Sequence, residues 1–295
     1  MRSTLALVLA LLAAPGFAAT TRDVRDDSRE LVTVTTGECR IVSLAPGTTA
    51  MLYAAGAGHC LVGTIAHSDE PAEAARVPIV GDAETLDFEQ LIALRPTVVV
   101  VAVDVVQRAR IDRIRALKIP VYQVHVTRLA DMAESVRRLG ELAGTAAEAR
   151  RAAAGLRAEL DAIDKRYRGR KPLRVLYQIW DQPIYTIGGK HVISDALQLC
   201  GANNIFADLQ TAAPAVTREA AILRDPDLII VSAPPQAGTE WIEQWRRFPT
   251  LSAVRNGRVL AFSDERMDRM GPSVLAAAAS LCELVDRARA PAETR

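Results

Sequence analysis

Leu91-Ile92-Ala93-Leu94-Arg95-Pro96-Thr97-Val98-Val99-Val100 and Ala221-Ile222-Leu223-Arg224-Asp225-Pro226-Asp227-Leu228-Ile229-Ile230 share one design. Each reads as the end of a short helix, a proline stop and an apolar strand. Proline has no amide donor and pushes the residue before it out of the helical region, so the helix ends ahead of it. The run that follows is apolar at successive positions rather than alternating, as in a strand covered on both faces of a parallel sheet. The two units predict related α/β halves.

The surroundings keep the same rhythm. Arg40-Ile41-Val42-Ser43-Leu44 reads as a buried strand, and Pro46-Gly47-Thr48-Thr49 turns into a helix over 50–55 with Thr48 or Thr49 as its N-cap. A short strand follows at 61–64, Asp87 caps a helix over 88–94, and a helix over 110–117 leads to a strand over 121–124. From Leu129 to Tyr167 strand formers nearly vanish and Ala, Arg, Leu and Glu dominate, with a break at Gly144-Thr145. Residues 146–167 contain no proline and only Gly155, enough for one helix of about 30 Å at 1.5 Å per residue. A strict heptad is not sustained, which favours a bridge between lobes over a coiled coil. Alternation then resumes, with strands over 174–178, 228–232 and 258–262 and helices over 193–200, 219–223, 241–247 and 273–289. Gly188-Gly189-Lys190 reads as a hairpin turn, since it lacks the spacing of a phosphate loop.

The fold class is therefore α/β, two Rossmann-like lobes bridged by a long backbone helix with a ligand cleft between them. The boundaries are a signal peptide at 1–19, a polar lead at 20–38, an N-terminal lobe at 39–144, the bridging helix at 145–168 and a C-terminal lobe at 169–290. The signal peptide rests on Arg2, the apolar run Leu5 to Leu12 and the small-residue exit at Gly16-Phe17-Ala18-Ala19. No cysteine near that exit offers a lipid attachment point, so the expectation is a free periplasmic protein. Lys plus Arg (36) nearly cancels Asp plus Glu (35), which argues against nucleic acid as a partner. No nucleophile elbow, Walker loop or dinucleotide fingerprint is present, so an enzyme is not expected. Four cysteines in an exported chain suit disulfides; they can pair in three ways, and sequence proximity favours Cys39 with Cys60 and Cys200 with Cys282.

Arg40-Ile41-Val42-Ser43-Leu44-Ala45-Pro46, the segment Asp87 to Pro96, the helical middle, and Thr217-Arg218-Glu219 before Asp225 to Val231 together resemble the helical-backbone (class III) periplasmic binding proteins of ABC importers for cobalamin, haem and ferric siderophores. The similarity runs from about Cys39 to Val285 and is greatest to the cobalamin-binding members. There Gln198 to Phe206 and Ser280-Leu281-Cys282 look like the segments carrying that branch's disulfide, which supports Cys200 with Cys282; a second bridge, Cys39 to Cys60, joins neighbouring strands of such a fold. The resemblance also implies that Glu89 and Glu219, at matching places in the two halves, dock onto basic residues of a dimeric inner-membrane permease, with the binding protein a monomer.

Open α/β sheets bind ligands at the carboxyl ends of their strands. That rule nominates Pro46, His67 and Glu84 from the first half and Trp180, Asp181, Tyr185 and Arg266 from the second, with Trp180 and Tyr185 as flat apolar contacts for a macrocycle. No resident cofactor is expected: the cargo is a corrinoid, cobalamin first, or another metal chelate such as haem or a ferric siderophore. The sequence departs from the cobalamin pattern where His67, Ala83, Ala102 and Ala213 stand in place of aromatics, and the axial tyrosine of haem binders would fall near Asp82 or Ala83. Siderophore binding would draw on Arg266 and Arg269. His67 could reach a metal centre, whereas His59, His125 and His191 are scattered, which disfavours direct zinc or manganese binding.

Overall fold

A computed structural model describes residues 21–35, 37–103 and 105–290 of the 295-residue chain, so the signal peptide expected at 1–19 lies outside the described residues. The region read as a polar lead opens with an antiparallel hairpin, β1 (Thr21–Arg25) and β2 (Leu31–Thr35). Val24, Val32 and Val34 alternate inward from it into the main core, a period-two pattern that its many charges concealed. Buried Asp26 holds the hairpin to the first lobe, accepting from the Gln123 amide and side chain, both at 3.2 Å.

The first lobe comprises β3 (Ile41–Ser43), α1 (Pro46–Ala54), β4 (Leu61–Gly63), α2 (Phe88–Ala93), β5 (Val98–Ala102), α3 (Arg108–Ala116) and β6 (Val121–Val124). Its sheet is parallel, in the order β4-β3-β5-β6. Helices α4 (Leu129–Ala143) and α5 (Ala146–Tyr167) follow and pack along each other, with Gly144 in the left-handed conformation (φ 85°) ending α4. The second lobe comprises β7 (Leu173–Trp180), β8 (Ile184–Thr186), α6 (Val192–Leu199), β9 (Ala202–Asn204), β10 (Ala215–Val216), α7 (Arg218–Leu223), β11 (Leu228–Val231), α8 (Pro235–Arg246), α9 (Ser252–Arg255), β12 (Val259–Ala261), α10 (Glu265–Arg269) and α11 (Val274–Arg289). Its parallel part, β9-β7-β11-β12, repeats the first sheet, and β8 and β10 extend it antiparallel from β7.

The repeat extends to single hydrogen bonds. Arg40 donates to the Leu94 carbonyl (2.6 Å from Nη2), closing the end of α2, and Arg174 donates to the Arg224 and Asp225 carbonyls at the end of α7. The residues before the two prolines, Arg95 and Asp225, both turn to positive φ (46° and 36°). The amides of Thr97 and Asp227 then donate to the carbonyls of Arg40 and Arg174, each at 2.8 Å.

One hydrophobic core runs through the molecule, taking Ile41 and Leu52 from the first lobe, Leu139 and Ile163 from α4 and α5, and Tyr177 and Leu281 from the second. Lobes that share a core across packed helices resist wide opening. Both disulfides form, Cys39–Cys60 and Cys200–Cys282. Two local expectations are corrected. Thr48 and Thr49 do not cap α1: the helix starts at Pro46 with Ala45 as N-cap, because proline suits the first turn, and both hydroxyls turn back to the Ala45 carbonyl (2.9 and 3.1 Å). Gly188-Gly189-Lys190 is no hairpin turn; the hairpin closes at Asp181 to Pro183, and the two glycines lie where a Cβ would come 2.0 and 2.1 Å from the Thr211 and Ala207 carbonyls.

Candidate functional site

A mainly apolar cavity of about 210 Å³ opens between the lobes. Its first-lobe wall is Ala45 to Thr48 after β3, His67 after β4, Ala102 and Val105 at and after β5, and Val124 and Val126 at and after β6. Asp268, Arg269 and Met270, beyond β12, form the opposite wall. Every wall thus stems from the carboxyl end of a parallel strand.

Local chemistry holds the first wall. Ser43, Thr48, Thr49 and Thr64 are all buried, and their hydroxyls join one chain: Ser43 to Thr48 at 2.7 Å, Ser43 to Thr49 at 2.9 Å and Thr49 to Thr64 at 2.9 Å. This ties the start of α1 to β3 and to the end of β4. Gly47 permits close approach of the lobes, since a Cβ there would lie 2.4 Å from the Arg269 carbonyl and 2.6 Å from that of Met270. Arg269 pairs with Asp69, and the Ser273 hydroxyl donates to Glu70 at 2.9 Å, so polar contacts span the cleft beside the cavity. Loss of solvation, reinforced by the Asp264 and Glu265 carboxylates, raises the pKa of Asp268 on the cavity wall.

Of the residues nominated from sequence, Pro46 and His67 line the cavity. His67 is exposed and has positive φ (64°). Glu84 lies on an exposed turn held by Asp82, which accepts its amide at 2.8 Å, and Arg266 is paired with Asp264 at 2.7 Å in the first turn of α10. Neither lines the cavity. Trp180 (58 % exposed) and Tyr185 (37 %) stand on the β7–β8 hairpin, outside the cavity lining but at the same carboxyl edge, with Trp241 edge-on to Trp180 at 6.1 Å. Asp181, between them in sequence, is only 7 % exposed and is paired with Arg218. Val124, Val126, Met51, Asp268 and Met270 were not nominated; the strand-end rule would have reached the first two, but an unremarkable valine offers no chemical signal.

Glu89 and Glu219 both lie exposed at the second position of a six-residue helix. Asp87 caps α2 by accepting from the Gln90 amide (2.9 Å), and Thr217 caps α7 by accepting from Ala220 (3.2 Å). Among the described residues, no three His, Cys, Asp or Glu side chains group to hold a metal ion.

A family model described as periplasmic binding protein matches residues 41–265. Vitamin B12-binding proteins of Vibrio parahaemolyticus and Yersinia pestis are 29 % and 30 % identical to the chain over 244 residues, spanning 83 % of it and 88 % and 85 % of those proteins. The crystal structure of the periplasmic vitamin B12 binding protein of Vibrio cholerae superposes with a TM-score of 0.78 at 29 % identity, covering 85 % of this chain and 98 % of that one. A periplasmic heme-binding protein from Roseiflexus shares the fold, with a TM-score of 0.72 at 23 % identity over 86 % of this chain and 100 % of that one.

Proposed function

The chain belongs to the periplasmic binding protein family, and from that premise we propose that it captures a corrinoid, cobalamin first, in the interlobe cleft and hands it to the permease dimer of an ABC importer. The observation that carries the reading is the convergence of both sheets' carboxyl ends on one apolar interlobe cavity, with exposed Trp180 and Tyr185 on the β7–β8 hairpin of the second lobe. A flat macrocycle takes its binding energy from such apolar and aromatic surface. Relatives that bind vitamin B12, similar over most of the chain, support the same cargo.

Delivery follows from the two matched helices. Exposed carboxylates at the second positions of α2 and α7 can set orientation on a two-fold permease that offers two basic sites. The shared core and the polar contacts across the cleft favour a small hinge motion over wide closure. The five spans proposed as units are the leader at 1–19, the lead at 20–38, the lobes at 39–144 and 169–290, and the bridge at 145–168. The corrinoid is cargo, not a cofactor for catalysis, and the place of work is the periplasm.

A second cargo has one observation behind it: His67, exposed on the cavity wall, offers an imidazole to the metal of a haem. One experiment separates the two. Mature protein is incubated with cyanocobalamin, haemin or a ferric hydroxamate, desalted, and its absorbance recorded. Corrin bands at one equivalent per chain support the first reading; retention of haem or iron alone replaces it, and retention of none overturns the cargo class.

A further inference from the structure

Helices α2 and α7 are matched in length, cap and carboxylate, yet they are anchored differently. The first residue of α2 is Phe88, and its ring lies under the Arg113 guanidinium of α3, 3.9 Å from the centroid. The first residue of α7 is Arg218, and here the pair is inverted: the guanidinium lies over Trp245 of α8 at 5.2 Å. Arg218 also reaches inward, donating to Asp181 Oδ1 at 3.2 Å and Gln244 Oε1 at 2.8 Å.

Asp181 is the hub of this network. Its other oxygen accepts from Gln244 Nε2 at 2.9 Å, and Gln178 Nε2 donates to Oδ1 at 3.3 Å. Gln178 in turn accepts from the buried Trp245 indole at 2.6 Å. A carboxylate so enclosed has its acceptor sites occupied by protein, so it has little left to offer a ligand. Burying such a pair brings little net stability, because desolvation offsets the attraction; what a buried pair does well is hold two elements in one register. The elements held are the hairpin bearing Trp180 and Tyr185 and the helix bearing Glu219. A second link runs in parallel: Tyr185 of β8 pairs with Ala215 of β10, directly ahead of the Thr217 cap.

We infer that Asp181 is a positioning residue that couples ligand seating on the Trp180–Tyr185 hairpin to presentation of Glu219, so that occupancy of the cleft is signalled to the permease through the C-terminal lobe. The inference rests on the docking and cargo reading above. Coupling between two binding events is reciprocal: if ligand strengthens docking by some factor, docking strengthens ligand binding by the same factor.

The test measures the dissociation constant for cyanocobalamin, or for haemin if that is the chromophore retained, with the protein free and with it docked on the nucleotide-free importer in nanodiscs. For the natural chain, docking is expected to change the constant by about fivefold or more. Asp181→Asn should leave the free constant within about threefold and bring the docked-to-free ratio close to one. An unchanged ratio in Asp181→Asn, a natural ratio of one, or a large loss of binding by free Asp181→Asn each overturns the coupling. A measurement on unmodified protein guards against a folding artefact: ligand should alter amide exchange over 218–223 more than over 88–93, and an equal response or none also overturns it. Failure of the underlying reading looks different, since Glu219→Gln would then dock as before or Trp180→Ala would bind ligand as before.

Discussion

The two lobes are one design executed with different interiors at the cleft. Both carry a parallel sheet, an arginine clamp, a positive-φ residue before proline and a capped helix with an exposed glutamate. Behind its cleft edge the first lobe has a chain of small hydroxyls, Ser43, Thr48, Thr49 and Thr64, and it lines the cavity mostly with small and aliphatic residues beside His67. The second lobe has a network of large side chains, Gln178, Asp181, Arg218, Gln244 and Trp245, and stands two aromatics at its edge. The difference teaches that the frame fixes the helix–proline–strand units and their clamps while leaving the strand ends free to diverge: one lobe presents a mainly apolar wall, the other two exposed aromatics on a hairpin hydrogen-bonded to a surface helix.

The largest effect that would sharpen this contrast concerns the two bridges. Cys200–Cys282 spans 82 positions and Cys39–Cys60 spans 21. Replacing the first pair by alanine should cost about 4 to 5 kcal/mol of unfolding free energy and the second about 3, since the longer loop restricts the unfolded chain more. Denaturant titration of the two variants reads the order directly. On the ligand side, Trp180→Ala should weaken binding by about 30-fold and Val105→Ala by less than about threefold, because a rigid aromatic contributes far more contact than a valine. Equal losses by calorimetry would break the assignment of the aromatic contact to the second lobe.

Next comes the hydroxyl chain. Thr49→Val keeps the shape but leaves the buried Thr64 hydroxyl without its partner and Ser43 with Thr48 alone in the chain, with an expected cost of about 1 to 3 kcal/mol by denaturant melt. The matched arginine clamps should respond alike: Arg40→Ala and Arg174→Ala are each expected to cost about 1 to 2 kcal/mol, reduced from a fully buried charged hydrogen bond by solvent exposure. Strongly unequal costs would mean that the repeat is not energetic.

The smallest effect lies on α4. Arg137, then Arg138, hold the Glu134 carboxyl on α4 down to about 2 from an ordinary 4.5, against some loss of solvation. Its folded value lies below its unfolded one, so the unfolded chain binds the proton first; the contribution is complete above pH 4.5 and disappears as pH falls toward about 2. Glu134→Gln should flatten the acid limb of stability in that window, modestly, because the group is partly exposed and screened. Melts at a series of acid pH values check it.

Much of this was legible without coordinates. The helix, proline and strand units gave both lobes and Gly144-Thr145 the break between long helices, because each depends on residues close in sequence or on a simple period. Spacing alone left three cysteine pairings open, and it was proximity together with the family resemblance that favoured the two that form. The amino-terminal hairpin was not legible, since the alternation of Val32 and Val34 is short and lies among charged neighbours. The Thr48 and Thr49 hydroxyls look like caps because threonine often caps; their partners, Ser43 in β3 and Thr64 just after β4, override that preference.

What the sequence by itself determined is the frame: α/β lobes, a helical bridge and two matched glutamates, all set by local propensity, periodicity and proline chemistry. Only the tertiary structure decided the make-up of the candidate site. It selected Val124, Val126 and Met270 as walls, used Gly47 to let the lobes meet, and turned Asp181 from a nominee for ligand contact into a buried partner of Arg218. A valine or an aspartate carries no mark of its use, because exposure and pairing depend on which distant segments arrive beside it, and that is fixed only when the core shared by both lobes closes.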